Sequence, residues 1–185
     1  NAINLNSANH GATASAFNSL TSAFKTEFAM SDAFEINTQS IDVATSAQGL
    51  VDNINRQATG VTATLNADNT ITLSNKTGAD IVIAEVSSGV GASDVGFTAG
   101  TYTGMVSLTN NDGSAVKIEA GSVKNGYANG VGTVADVNGL GFNESSNGTT
   151  LEGAIVSGTA LKADEIRLND VIVGPSDNGS ANSIA

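Results

Sequence analysis

Cysteine is absent from the chain, and so is tryptophan. Without cysteine there can be no disulfide, no thiol catalysis and no cysteine-ligated zinc. Aromatic residues amount to 4%, so a core drawn from the 40% hydrophobic fraction must be built from Ala, Val, Ile and Leu. Cations are scarce as well: seven Lys and Arg stand against 18 Asp and Glu, a formal net charge of −11. Neutralising phosphate needs clustered cations, so no nucleic-acid partner is expected, and an anionic membrane surface is disfavoured for the same reason. The acidity reads as solubility and self-repulsion. No apolar run is long enough to span a bilayer, and no positively charged start leads into an apolar stretch.

What the chain does have, within its 185 residues, is 21 glycines among many Asn, Ser and Thr, the punctuation of frequent tight turns. Phe34-Glu35-Ile36-Asn37 and Ile41-Asp42-Val43 alternate apolar and polar residues as half-buried strands do, with Thr38 to Ser40 as the turn between them. A helix follows, capped by Thr45 or Ser46, with Ala47, Leu50, Val51 and Ile54 on one face and Gly60 ending the element. Val61 to Leu65, Ile71 to Leu73 and Ile81 to Ile83 read as strands, with a turn at 67–69. Residues 34–83 thus form a unit of hairpin, helix and a short run of strands.

Further on, Thr103 to Leu108 and Ala115 to Glu119 flank Asn111-Asp112-Gly113-Ser114, and an Asp-Gly pair between alternating strands signals a hairpin. Residues 138–150 read as a long exposed loop and 151–157 as a strand. Near the start, Phe17, Leu20, Phe24 and Phe28 sit at near-helical spacing, which predicts a helix over 16–28 with core phenylalanines; a strand from Gly11 to Phe17 competes.

Internal repetition organises the rest. Asp52-Asn53-Ile54-Asn55 followed by Gly60-Val61-Thr62-Ala63 has a counterpart in Asn1-Ala2-Ile3-Asn4 followed by Gly11-Ala12-Thr13-Ala14, with a spacer two residues longer. The first hairpin has a counterpart in Ile166-Arg167-Leu168-Asn169 and Val171-Ile172-Val173, and residues 180–185 look like the first turn of another helix. The chain therefore holds one complete unit, the second half of another and the first half of a third, as a piece of a longer chain would. If the terminal halves meet, they rebuild a second unit. The expected fold class is α+β, with antiparallel sheets and one or two short helices packed on them. The expected division is a stem of residues 1–30 with 158–185 and an outer subdomain of 31–157.

This unit resembles the short IN motif of bacterial flagellins and flagellar hook-associated proteins. The residues that carry the likeness are Phe34 to Asn37, Leu50 to Asn55 and Thr59-Gly60-Val61-Thr62-Ala63, with partial copies at Ala2-Ile3-Asn4 and Leu168-Asn169-Asp170-Val171. Two turns depart from the family's usual Ile-Asn-Gly, having Thr38 and Asp170 where the glycine stands. Ile36, Asn37, Ile41, Val43, Leu50, Val51, Ile54, Asn55, Gly60, Val61, Ile166, Leu168, Asn169 and Val171 are the expected structural core of the motif. The resemblance implies a non-enzymatic, secreted outer variable domain of a flagellin, exposed on an extracellular motility filament. It implies partnership with other flagellin subunits through terminal helical regions that these residues do not include, so this segment alone is expected to be monomeric. It also suggests O-glycosylation, with Ser145, Ser146, Thr149 and Thr150 in the expected loop as candidates.

The chemistry-bearing residues support no catalytic constellation. His10, the only histidine, stands beside Gly11 and reads as a surface or turn residue. No nucleophile elbow or phosphate-binding loop occurs, and Gly89-Val90-Gly91 reads as a turn. The Asn- and Asp-rich stretches 66–69, 110–112 and 177–178 lack the calcium-loop ladder and suit turns. Asp164-Glu165 reads as solvated, and no metal or cofactor is expected. Asn-x-Ser/Thr triplets at Asn75, Asn143, Asn147 and Asn178 are what chance produces in this composition. Two alternatives remain: a flagellar cap or hook-associated protein, and an adhesin or glycan-binding β module, for which only Tyr102 and Tyr127 could serve as platforms.

Overall fold

A computed structural model describes residues 2–86, 89–121, 132–142, 150–163 and 165–185. After a 3-10 turn (Asn4–Asn6) come α1 (Ser7–His10) and the long strand β1 (Ala12–Thr21). The hairpin strands β2 (Phe34–Ile36) and β3 (Gln39–Ile41) lead into α2 (Ala47–Gln57) and then β4 (Thr62–Leu65), β5 (Ile71–Asn75) and β6 (Ile81–Glu85). Next are α3 (Gly91–Asp94), β7 (Gly100–Tyr102), β8 (Met105–Asn110) and β9 (Ile118–Ala120). The last elements are α4 (Val134–Gly139), β10 (Thr150–Ile155), β11 (Ile166–Leu168), β12 (Val171–Ile172) and α5 (Ala181–Ile184). All strand pairs are antiparallel, and the fold is α+β. Five short helices appear among the described residues where one or two were expected.

The chain forms two compact units. Unit 1 holds residues 1–17, 77–79 and 103–185; unit 2 holds 18–76 and 80–102. The observed division differs from the expected one: residues 18–30 fall with the complete motif unit and 103–157 with the two chain ends.

In unit 2, β2 pairs with β3 and with β6, which pairs with β7, while β5 pairs with β4 and with residues 18–21 of β1. The alternation of β5, with Ile71, Leu73 and Asn75 buried, puts every second side chain inward. Helix α2 covers this interior with Leu50, Val51 and Ile54, the i, i+1, i+4 positions of one face. Burying such side chains contributes about 1.5–3 kcal/mol each. Ser46 caps the helix by accepting the Gly49 N–H at 3.1 Å. The hairpin turn is tighter than expected: Asn37 and Thr38 alone form it, both at positive φ (51° and 67°). Val43 lies beyond β3, 49% exposed, and does not join the core.

In unit 1, residues 12–17 of β1 pair with β8, whose other edge pairs with β10; β11 pairs with β12 and β9. Two expectations are corrected here. The Asp112-Gly113 turn closes no hairpin, because β8 and β9 pair with different strands. Asn110 Nδ2 donates to Ser114 Oγ and the Ala115 carbonyl (both 2.9 Å), and the Ser114 N–H donates to Asp112, so the turn redirects the chain. Residues 12–21 are strand, not helix. Ala12 and Ala14 alternate inward against β8, and Phe24, 59% exposed, lies beyond the strand. The chain ends meet: the N–H groups of Ala2, Ile3 and Asn4 donate to the carbonyls of Ser183, Ile184 and Ala185.

Candidate functional site

Among the described residues, several side chains with catalytic or ligating potential hold turns. His10 is corrected from a surface residue to a buried one, 3% exposed, at the end of α1. Its Nδ1 accepts the Ala12 N–H at 3.2 Å, which leaves Nε2 to donate to the Ile3 carbonyl at 2.9 Å. Both ring nitrogens are thus hydrogen-bonded to backbone. Asp68 accepts from Thr70 Oγ1 and N–H, and these bonds hold its carboxyl below the ordinary carboxylate range. Asp112, with Ser114, is lowered in the same way. Asn178 Oδ1 accepts the Ser180 N–H at 2.9 Å. Among the described residues, no group of His, Asp and Glu could hold a metal ion, and no helix is long and apolar enough to cross a membrane. Two cavities among the described residues measure about 180 Å³, beside Phe28 in unit 2, and about 230 Å³, beside Leu161 in unit 1. Ligand sites usually occupy ~300 Å³ or more.

The feature with a constructed geometry is the hairpin–helix–strand arrangement of unit 2. Three polar side chains join its parts. Asn55 Nδ2 donates to the Ala63 carbonyl at 3.0 Å and its Oδ1 accepts the Ala63 N–H at 2.8 Å, fastening the helix end to β4. Asn37 accepts the Val82 N–H on Oδ1 at 2.8 Å and donates its own N–H to the Val82 carbonyl at 2.9 Å, fastening the turn to β6. Gln57 accepts the Asp42 N–H at 3.0 Å and donates to the Asp42 carboxylate, fastening the helix to the end of the hairpin. Each partly buried backbone group used this way would otherwise cost about 1–3 kcal/mol unpaired.

Of the motif residues named from sequence, Ile36, Ile41, Leu50, Val51, Ile54 and Val61 are buried in unit 2, and Ile166 and Leu168 in unit 1. Asn55 and Gly60 are exposed, Val171 is half-buried, and Gly60 takes φ 80° in the turn into β4. Gln57, Asp42 and Val82 were missed, because such links join residues far apart in sequence. Of the glycosylation candidates, Thr150 is exposed and bonded to Thr109 at 3.2 Å; Ser145, Ser146 and Thr149 lie outside the described residues. So do Asn143, Asn147, Tyr127 and Asp164, while Asn75 is buried. Glu165 accepts the Lys162 N–H, and the Tyr102 hydroxyl donates to the Thr98 carbonyl.

Residues 31–77, which carry β2, β3, α2, β4 and β5, match the family model described as the flagellin hook IN motif. No curated protein and no solved structure matches the chain. The matched motif supports a flagellin-related structural protein.

Proposed function

We propose that this chain is an outer domain of a flagellin, exposed on the surface of the extracellular filament. The observation that carries the reading is the coincidence of the hook IN match at 31–77 with a closed structural unit whose polar side chains are spent on its own backbone. Its role is mechanical and interfacial: it adds bulk and an acidic outer face, net charge −11, whose self-repulsion keeps neighbouring surfaces soluble. Polymerising contacts with other subunits lie in regions other than these residues. Hydroxyls at Ser145, Ser146, Thr149 and Thr150 are the proposed sites of O-linked glycan.

The test is intact mass spectrometry and peptide mapping of the parent protein from sheared filaments. Peptides of this chain dominating the filament protein support the reading, and added mass on 145–150 locates the glycan. Trace abundance transfers the domain to the flagellar cap or a hook-associated protein. Absence from the flagellum overturns the reading in favour of an adhesin module.

A further inference from the structure

We infer that unit 1 repeats the hook IN arrangement of unit 2, assembled from three separated segments, residues 166–185, 2–16 and 105–120.

The hairpin comes first. Asn169 and Asp170 turn at φ 48° and 67°, as Asn37 and Thr38 do at 51° and 67°. Each turn asparagine then grips a third strand by the same two bonds. Asn169 donates its N–H to the Lys117 carbonyl at 2.8 Å and accepts the Lys117 N–H on Oδ1 at 3.0 Å, as Asn37 does with Val82.

The helix comes second. Ser180 caps α5 by accepting the Ser183 N–H, as Ser46 accepts that of Gly49. The N–H groups of Ala2, Ile3 and Asn4 donate to the carbonyls of Ser183, Ile184 and Ala185, which sets residues 2–4 against the end of α5. Asn4 then bonds as Asn55 does near the end of α2: its Nδ2 donates to the Ala14 carbonyl at 2.8 Å and its Oδ1 accepts the Ala14 N–H at 2.8 Å, matching Asn55 and Ala63. Gly11 and Gly60 precede the strand at φ 73° and 80°.

The strands come third. Ala14 faces Leu108 across β1 and β8, as Ala63 faces Leu73 across β4 and β5. Beyond them, Asn110 and Asn75 are both buried, and Gly113 and Gly78 both turn at positive φ. The sequence Val106-Ser107-Leu108-Thr109-Asn110, with Gly113 and Ile118, sits 35 residues after Ile71-Thr72-Leu73-Ser74-Asn75, with Gly78 and Ile83.

Two spacers differ: eleven residues from Asn169 to Ser180 against nine from Asn37 to Ser46, and ten from Asn4 to Ala14 against eight from Asn55 to Ala63. The spacer from Asn4 to Ala14 forms α1, and the buried His10 ring bonds to the Ile3 carbonyl, whose counterpart on Ile54 accepts the Ala58 N–H. In sequence, unit 2 begins within β1, at residue 18, and stands between residues 12–17 and β8, whereas β4 and β5 of unit 2 are separated only by the turn 66–70. A motif so divided has no contiguous stretch for a family model to match, although each part is present.

The test is amide hydrogen exchange, read residue by residue by NMR on the full chain. The Ile3 and Asn4 amides should be protected in the unaltered chain. Ile184→Ala should speed their exchange at least tenfold and leave the Ala58 and Ala63 amides of unit 2 unchanged; Leu50→Ala should do the reverse. Ser180→Ala, a milder change, should speed Ile3 and Asn4 if Ile184→Ala unfolds unit 1 outright. Unprotected Ile3 and Asn4 amides in the unaltered chain would overturn the inference, as would protection that Ile184→Ala and Ser180→Ala both leave intact. Neither outcome depends on whether the protein enters a filament.

Discussion

Asn55 holds Ala63 by two hydrogen bonds, donating to its carbonyl at 3.0 Å and accepting its N–H at 2.8 Å. A side chain that satisfies both backbone groups of one residue fixes the register of β4 against the end of α2. Replacing it by alanine leaves both groups without that partner. Asn55→Ala should lower the stability of unit 2 by about 1–3 kcal/mol, and Asn4→Ala should do the same to unit 1 through Ala14. Urea titration followed by a probe in each unit checks both, and a change below a few tenths of a kcal/mol would show water replacing the amide.

The two hairpin turns predict different responses to glycine. Thr38 is β-branched and sits at φ 67°, where an L residue costs about 1–2 kcal/mol. Glycine removes that strain at an entropic cost of about 0.5–1 kcal/mol. Thr38→Gly, which also creates the favoured Asn-Gly turn, should therefore stabilise unit 2 by about 0.5–1 kcal/mol. Asp170 has the same φ but tolerates it better, and its carboxylate accepts from Lys117 at 2.9 Å. Asp170→Gly should come out near neutral. Thermal melts of the two variants decide, and a destabilised Thr38→Gly would mean the strain is absorbed elsewhere.

Much of this was legible in the sequence, and the parts that were not have physical reasons. Hairpin, helix and strands of 34–83 announced themselves through period, because each buries one face. The Ile-Asn and Gly-x-Thr-Ala echo near the start and the hairpin echo at Ile166 to Val173 showed in sequence because the same clamps need the same residues. The resemblance of Val106–Ile118 to Ile71–Ile83 is equally readable, but the Asp112-Gly113 pair within it carries the competing signal of a local hairpin. Only topology shows that β8 and β9 go to different neighbours. His10 misled for a related reason: a lone histidine before glycine looks like a turn, whereas the two-residue excess in its spacer was the sign that something had to fill that space. Phe17, Leu20, Phe24 and Phe28 offered a helical period, but the alternating Ala12 and Ala14 fit closely against β8, and strand pairing won.

Acid should act on the turns first. Asp68, Asp112 and Asp170 have carboxyls lowered by hydrogen bonds from Thr70, Ser114 and Lys117 respectively. A group lowered on folding contributes stability above its unfolded value, about 3.9 for Asp, and loses it as pH falls through the folded value. Lys117 is raised, by Asp170 first and Glu119 second. Its contribution is complete below about 10.4 and is lost as pH rises through the folded value. The Lys117–Asp170 pair thus acts between those limits, and both partners are exposed enough for salt to weaken it. Melting temperature against pH should fall on the acid side, and Asp68→Asn with Asp112→Asn should flatten that limb. An unchanged limb in the double variant would place the acid sensitivity in other groups.

Leu73 and Leu108 are the sharpest probes of whether the two units unfold separately. Both are fully buried, and they face Ala63 and Ala14 across equivalent strand pairs. Truncating either to alanine removes the same methyl groups from interiors built alike, at a cost of about 2–5 kcal/mol set by how far each site collapses. The two belong to different clusters of buried residues, so the loss should stay local. Leu73→Ala should lower the transition of unit 2 alone and Leu108→Ala that of unit 1 alone. Calorimetry would then resolve two transitions moving independently, and a single urea midpoint for the chain would have no simple meaning. One transition that both variants lower equally would instead show that the units melt as one cooperative body, with each unit's core depending on the other's being formed.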